Sequence, residues 1–200
     1  MTPSETALVR LCAAIAAGSH SQLAATIDSA NATCDPEEAE EAILQCYLFT
    51  GFPAVIQAMS AWRQRTGHRA GRPVMEDKAD FARRGERVCA TVYGGQYERL
   101  RENVRALHPD LERWMLAEGY GKVLGRPGLS LRVRELCIIG VLSAQDAPRQ
   151  LHSHLRGALN AGAASEEVEA ALAAAATIVP TPRAETAWQT WREVHERRSL

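Results

Sequence analysis

Apolar residues recur at intervals of three and four along most of the chain, and stretches of strict alternation are scarce. This period is typical of α-helices with one buried face. Alanine, leucine, glutamate and arginine, which all favour helices, are the dominant residues. The pattern therefore predicts an all-helical fold, with helices over residues 4–17, 21–32, 36 to about 50, 53 to about 65, 76–92, 96–106, 109–120, 131–145 and from 148 onward.

Residues 120–162 are predicted to contain a helical hairpin with a carboxylate and a histidine on buried faces. Ser130 suits the N-cap of the first helix, whose apolar side includes Glu135. Pro148 suits the first position of the second helix, whose side of small residues includes His154. At about 1.5 Å per residue the two side chains reach nearly the same height, so we expect them to be in contact.

A carboxylate on an apolar helix face is costly unless it is paired. Pairing with an imidazole orients the ring, fixes its tautomer and raises its basicity, which is how a general acid or base is built. Two alternatives involve no chemistry. Glu135 and His154 could form a structural hydrogen bond in the core, or Glu135 could pair with an arginine such as Arg134 of a neighbouring chain.

Several motifs around this hairpin resemble the carboxymuconolactone decarboxylase family. They are Tyr120-Gly121, Arg126-Pro127-Gly128-Leu129, Arg134-Glu135-Leu136, Arg156-Gly157-Ala158-Leu159-Asn160-Ala161-Gly162 and Ser165-Glu166-Glu167-Val168. The spacing from Glu135 to His154 is also that of the family. The resemblance is strong from about residue 116 to 175 and weaker over residues 8–62.

The resemblance implies an all-helical bundle of the alkyl hydroperoxidase D-like type that needs no cofactor. It also implies a homo-oligomer (a dimer, trimer or hexamer) with the site close to subunit contacts. Glu135 and His154 carry over as a proton relay. The thiol peroxidases of the family place a Cys-x-x-Cys where this chain has Ala147 and Gln150, so both cysteines are absent.

The composition narrows the class of protein. A net charge of −1 argues against a chain that coats nucleic acid or an anionic membrane. Five cysteines show no Cys-x-x-Cys and no zinc spacing, which fits a reducing cytoplasm and predicts no metal site. No secretory leader and no apolar stretch of roughly 20 residues is present. We expect a soluble, cytoplasmic protein, and the many alanines and few lysines indicate a GC-rich bacterial genome.

An internal repeat is the second informative feature of the sequence. Leu8–Cys12 aligns with Val133–Cys137, Glu37–Glu40 with Glu166–Glu169, Pro53 with Pro180, and Ala61–Trp62 with Ala187–Trp188. A chance match of Ala/Glu-rich helices is the alternative, but the ordered series of anchors favours a duplication. We predict a first, degenerate repeat over residues 1–66, a helical connector over 67–110 and a second repeat with the Glu/His pair over 111–200.

The connector begins within a basic run over residues 63–72. This run lacks interleaved aromatic residues, so we interpret it as a solvated linker rather than a phosphate or nucleic-acid site. We therefore expect no nucleic-acid partner and no membrane partner, and a small molecule as the substrate.

The two copies differ at the relay positions, where the first copy has Arg10 and Thr26. The first copy is therefore expected to be catalytically silent alone. Its segment over residues 49–54 resembles the family's Tyr-x-Gly-Phe-Pro, with Phe49 in place of the tyrosine. We infer a composite pocket with the relay from the second repeat and an apolar wall of Phe49, Phe52 and Tyr47 from the first. The alternative is that these aromatic residues belong to the ordinary core.

Three function classes stay open. The first is a lyase or isomerase for a small carboxylated lactone or oxo acid, in which His154 moves a proton and Glu135 tunes it. Arg134 or Arg156 would hold a substrate carboxylate.

The second class is a thiol peroxidase that uses a displaced cysteine, Cys137 or Cys46, as its nucleophile. The third is a non-enzymatic oligomer that binds a small molecule or a protein, with Arg149 and His152 on an exposed helix edge. The first class leads because it requires no missing residue.

Overall fold

The computed structural model describes residues 1–71 and 77–196. Within these ranges all regular structure is helical, which confirms the predicted all-helical class. The α-helices are α1 Pro3–Ala17, α2 His20–Thr33, α3 Pro36–Gln45, α4 Tyr47–Thr66, α5 Lys78–Tyr93, α6 Tyr97–Leu107, α7 Pro109–Trp114, α8 Leu131–Gln145, α9 Pro148–Asn160, α10 Ser165–Ala176 and α11 Thr181–Glu196. A 3₁₀ turn spans Gly94–Gln96 and a π-helical segment spans Met115–Leu124. The predicted helix start at residue 76 and the end of the basic run at residue 72 lie outside the described residues.

The helix starts follow local capping chemistry. The side chain of Ser130 accepts a hydrogen bond from the backbone N–H of Val133 at 3.3 Å, and Asp35 caps α3 through the N–H of Glu37 at 2.8 Å. The break expected at residue 51 is also present, since Gly51 leaves the helical region with φ of 76°.

The helix predicted to run from residue 36 to about 50 ends earlier. The N–H of Cys46 bonds the carbonyl of Ile43, three residues back, which tightens the last turn of α3. The chain then bends by 119° into α4. No single described helix is long and apolar enough to cross a membrane, although α3 and α4 together would pass on length and composition.

The described residues up to 69 and from 128 onward cluster into one unit, which we call the core unit. Those between 70 and 127 form a second, the inserted unit. These limits differ from the segments predicted at residues 66 and 110. The reason is local packing, because the π-helical segment packs on α5 of the inserted unit.

Helices α1 and α8 pack together at the centre of the core unit. Gly140 makes this contact possible, because a Cβ there would lie 2.8 Å from the carbonyl oxygen of Val9. Cys12 and Cys137, which anchor the sequence alignment of the two repeats, are both fully buried and hydrogen-bond to one another across this contact. Helices from both predicted repeats therefore form the core together.

A tryptophan–glutamate pair occurs once in each repeat. Trp62 Nε1 donates to Glu40 Oε1 at 3.3 Å, and Trp191 Nε1 donates to Glu169 Oε1 at 3.1 Å. Both pairs are 22 residues apart in sequence. The structural counterpart of Trp62 is therefore Trp191 and not Trp188, because the hydrogen bond, rather than the local Ala-Trp match, fixes the register.

In the inserted unit, two glycines allow the backbones of α5 and the π-helical segment to come into contact. A Cβ at Gly85 would lie 1.9 Å from the carbonyl oxygen of Leu116, and one at Gly121 would lie 2.0 Å from that of Phe81. Arg84 Nε donates to the carbonyl of Gly121 at 2.6 Å and ties α5 to the π-helical segment. Larger side chains would force these elements apart.

Candidate functional site

The predicted contact between Glu135 and His154 is present. His154 Nδ1 lies 2.8 Å from Glu135 Oε2, and both residues are buried, with 0% and 6% of their surface exposed. When the Glu135 carboxylate is ionised it only accepts hydrogen bonds, and Nδ1 then carries the proton. The second ring nitrogen, Nε2, then carries a lone pair that can accept a proton.

The hairpin of α8 and α9 places this pair. Helix α8 ends at Asp146, which adopts a left-handed conformation with φ of 54°, and α9 starts with Pro148 at its first position. The chain therefore reverses sharply between the two helices. Leu151 and Ala158 are buried on the same face of α9 as His154, so packing holds the ring toward α8.

The second oxygen of the Glu135 carboxylate, Oε1, is also buried. It has no hydrogen-bond partner within the described part of the chain. A buried acceptor without a donor costs about 1–3 kcal/mol. A hydrogen-bond donor brought to Oε1 would remove this cost and leave the bond between Oε2 and His154 in place.

Phe49 from the first repeat completes this arrangement. Its ring lies edge-on to the His154 ring, with centroids 5.9 Å apart and an interplanar angle of 81°. Gln145, the last residue of α8, donates to the carbonyl of Phe49 at 2.6 Å. The helix that carries Glu135 thus also fixes the backbone of Phe49. Sequence reasoning assigned Gln145 only to the turn, since no periodicity signals a contact with a residue 96 positions away.

Arg134 lies elsewhere in the core, where it already has partners. It is fully buried, and its Nη2 donates to Glu41 Oε2 at 2.8 Å. Gln45 lies within 3.4 Å of Nη1. Glu41 already balances the charge of Arg134, so this arginine does not serve as the predicted holder of a substrate carboxylate. No local pattern in the sequence identified Glu41 as that partner.

The other two candidate binding residues face solvent. Phe52 is 65% exposed and stacks on Tyr47, with ring centroids 5.0 Å apart. Arg156 is exposed and lies two residues after His154, on a different side of α9. The structure therefore joins Glu135, His154 and Phe49, and places Phe52 and Arg156 on the surface.

The cysteines considered as nucleophiles lie in the core. The hydrogen bond from Cys12, followed by burial, raises the pKa of the Cys137 thiol well above its usual value. Cys46 is also buried, and its Sγ lies 3.2 Å from the carbonyl of Ala42. Because the thiolate is the nucleophile, burial and a raised pKa make a thiol such as Cys137 unreactive.

A surface groove lies between α9 and α11. It has a volume of about 480 Å³ and is lined by Pro148, Arg149, His152, Thr186, Gln189, Thr190 and Glu193. The predicted edge residues Arg149 and His152 thus face a groove separate from His154. Within the described ranges, no group of three or more His, Cys, Asp or Glu side chains is arranged to hold a metal ion.

A family model covers the helices that carry the site. The model of the carboxymuconolactone decarboxylase family matches residues 109–193. Peroxisomal protein 2 of Schizosaccharomyces pombe is 37% identical over 93 residues, which cover 46% of this chain and 44% of that protein. Peroxisomal protein 2 of Saccharomyces cerevisiae is 33% identical over 97 residues, or 48% and 34% of the two chains.

A third relative is a named enzyme. Nitrosuccinic acid decarboxylase npaB of Metarhizium robertsii is 34% identical over 101 residues, which cover 49% of this chain and 69% of that protein. The chain spans less than half the length of the two yeast relatives, at 44% and 34%. The two yeast relatives are named as peroxisomal proteins. A cytoplasmic location and a bacterial origin of this chain therefore stay predictions. On the family match and the coverage of the decarboxylase, the chain belongs to the carboxymuconolactone decarboxylase family.

Proposed function

We propose that this protein is a lyase that removes CO₂ from a small organic acid and that it does so without a cofactor. The observation that carries the proposal is the buried hydrogen bond between His154 Nδ1 and Glu135 Oε2 at 2.8 Å. It leaves one imidazole nitrogen and one carboxylate oxygen to contact a bound molecule. The name of the Metarhizium relative supports the same reaction class.

The substrate needs a group that accepts the electron pair left by CO₂. The bond between the carboxylate and its carbon breaks, and the electron pair is delocalised into an adjacent carbonyl, as in a lactone or oxo acid, or into a nitro group. The imidazolium of His154 then delivers a proton from Nε2 to that carbon, and solvent restores the proton. Glu135 stabilises the imidazolium during the cycle.

Phe49 shields one side of the proposed site from water. Its ring lies against His154 and is itself half-buried, so it keeps water from one side of the imidazole. A low local dielectric strengthens the interaction between the imidazolium and the carboxylate of Glu135. A composite site with residues from both repeats explains why the first copy is retained although it lacks the relay.

A homo-oligomer is the second part of the proposal. Phe52 and Ile56, both on α4 and near Phe49 in sequence, are 65% and 61% exposed. Large exposed apolar side chains grouped on one helix are typical of an interface. Sedimentation of the wild type and of Phe52→Ser/Ile56→Ser tests this, because a larger particle is expected only for the wild type.

The main test is turnover of two acids, carboxymuconolactone and nitrosuccinate, followed by CO₂ release. In D₂O the wild type is expected to place one deuterium at the carbon that lost CO₂. His154→Gln should abolish this transfer while the fold is retained, as checked by circular dichroism. The variant with all five cysteines replaced by serine should keep the activity.

A parallel assay follows tert-butyl hydroperoxide with a dithiol reductant. Hydroperoxide turnover that disappears with the cysteines would replace the decarboxylase proposal with thiol chemistry at Cys137 or Cys46. Decarboxylation at full rate in His154→Gln would show that the pair has only a structural role. Loss of decarboxylation in His154→Gln, with the cysteine-free variant active, is the expected result.

A further inference from the structure

The backbone carbonyl of Phe49 lacks the donor that a regular helix would provide. In an α-helix a carbonyl accepts a hydrogen bond from the N–H four residues later. Four residues after Phe49 is Pro53, which has no N–H. The chain also leaves the helical region between them, at Gly51. The carbonyl of Phe49 is therefore open to a donor from another part of the molecule.

Gln145 supplies this donor from the end of α8. Its Nε2 lies 2.6 Å from the carbonyl oxygen of Phe49. The N–H of Phe49 donates to the carbonyl of Cys46, the C-cap residue of α3, at 3.0 Å. Both peptide groups that flank the Cα of Phe49 are therefore held, and this sets the direction in which the side chain leaves the backbone.

Helix α8 is a firm support for this contact. Residues 133–144 of the helix are all buried, so packing restrains it along most of its length. The same helix carries Glu135, whose Oε2 lies 2.8 Å from Nδ1 of His154. One helix thus positions both rings of the site, the imidazole through Glu135 and the ring of Phe49 through Gln145.

The contact between the two rings depends on this support. Their centroids are 5.9 Å apart with an interplanar angle of 81°, which is an edge-on arrangement that aromatic rings favour. Phe49 is only half-buried and Gln145 is exposed. Because the core does not enclose Phe49 on all sides, loss of the bond from Gln145 would let this residue move away from His154.

We propose that Gln145 is a positioning residue that holds the ring of Phe49 against the imidazole of His154. It acts through Phe49, because the ring shields the imidazole from water only while the backbone beneath it is held. The geometric part of this inference is independent of any reaction, whereas the effect on turnover rests on the proposed function.

Gln22 provides a matched control within the same chain. Its Nε2 donates to the carbonyl of Ile178 at 2.8 Å, which is also a bond from a glutamine to a distant backbone carbonyl. Ile178 packs with Ala13, Ala14 and Ala175. Gln22→Leu and Gln145→Leu therefore each remove one bond of the same kind, and only Gln145→Leu should alter the surroundings of His154.

The first measurement follows the imidazole ¹H signals of His154 by NMR and needs no substrate. The signals are assigned by their absence in His154→Gln, and Phe49→Leu gives their positions without the aromatic ring. In Gln145→Leu they are expected to move toward those positions, and in Gln22→Leu they should stay where the wild type has them. Unmoved signals in Gln145→Leu, or an equal movement in Gln22→Leu, would overturn the proposal.

Two further variants separate the hydrogen bond from the bulk of the side chain. Gln145→Glu keeps the size but places an acceptor against the carbonyl, so it should displace the His154 signals as Gln145→Leu does. Gln145→Lys has an ammonium group that can donate to the carbonyl and should restore the signals. Wild-type signals in Gln145→Glu would contradict the positioning role.

The second measurement is kcat for decarboxylation. Loss of one hydrogen bond shifts an equilibrium by about 2–10-fold, so Gln145→Leu should lower kcat by about this factor. Gln22→Leu should lower it by less than about twofold, since its bond is equally lost but lies at Ile178. If the wild type turns over neither acid, the proposed function fails, and the NMR comparison still decides the role of Gln145. An unchanged kcat in Gln145→Leu with displaced His154 signals would refute its effect on turnover.

Discussion

The relay position of the second repeat differs from the same position in the first. In the second, Glu135 is fully buried and bonded to His154. In the first, the matching caps of α1 and α8 place the buried Ala7, and not Arg10, at the position of Glu135. Thr26 is at the position of His154, and its hydroxyl bonds its own helix. The scaffold around them has changed far less. Each repeat keeps its tryptophan–glutamate bond, and α1 and α8 keep their N-caps at Thr2 and Ser130.

The two predicted repeats therefore share their packing but not their ionisable residues. The helices of both copies bury one another, so neither could be lost without exposing the core. The ionisable residues were free to change in the copy that kept only a packing role. The proposed site accordingly takes Phe49 from one repeat and His154 from the other.

The largest expected effect is on decarboxylase turnover, when substitution of His154 is compared with substitution of its counterpart Thr26. His154→Gln should lower decarboxylase turnover about 10²–10⁴-fold, the usual contribution of a general acid or base. Thr26→Val, which keeps the shape of a buried residue, should change turnover by less than about twofold. Equal losses in both variants would indicate that the effect on turnover arises from packing. Steady-state decarboxylation rates of the wild type, His154→Gln and Thr26→Val, with either acid as substrate, measure these changes.

The buried ion pair between Glu41 and Arg134 joins the two predicted repeats and occurs only once. The positions that correspond to Arg134 and Glu41 in the opposite repeats hold Thr6 and Ala170. Glu41→Ala leaves the guanidinium of Arg134 buried without its carboxylate, and should lower the free energy of unfolding by about 3–5 kcal/mol. Adding Arg134→Met should recover most of this loss. Urea unfolding checks both, and a double variant as unstable as the single one would contradict the argument.

The cysteine contact between α1 and α8 should make stability fall at high pH. The pKa of Cys137 is raised in the folded state by its bond to Cys12 and by burial, so the unfolded state releases its proton first. Stability is therefore complete below about pH 8.5 and should decline above it by up to about 1.4 kcal/mol per pH unit for each such thiol. Cys12→Ala/Cys137→Ala should show a flatter profile in urea unfolding between pH 8 and 10. An unchanged slope would count against this account.

The smallest expected effect concerns the tryptophan pairs. Trp62→Phe and Trp191→Phe should each cost about 1–2 kcal/mol, since each loses a hydrogen bond to glutamate and some buried volume. The two losses should agree within about 0.5 kcal/mol if the pairs are equivalent. Trp188→Phe is the matched control and should cost less, because Trp188 is half-buried. Thermal unfolding measures all three.

Much of the helical hairpin could be predicted from the sequence. The N-cap at Ser130, Pro148 at the start of α9 and the three- and four-residue spacing placed Glu135 and His154 on facing sides. These features are local, since they depend on residues within one or two turns of each other. The helix break at Gly51 was predictable for the same reason.

The sequence by itself thus determined the helical class, the family and the Glu135–His154 contact. The tertiary structure decided which of the remaining charges are already paired. Glu41 meets Arg134 across 93 residues and Gln145 meets Phe49 across 96, and no local period encodes such contacts. It also decided that Glu135 Oε1 is buried without a hydrogen-bond partner among the described residues. Burial and partnership are properties of the packed helices, because they depend on which faces meet and not on the order of residues within any one helix.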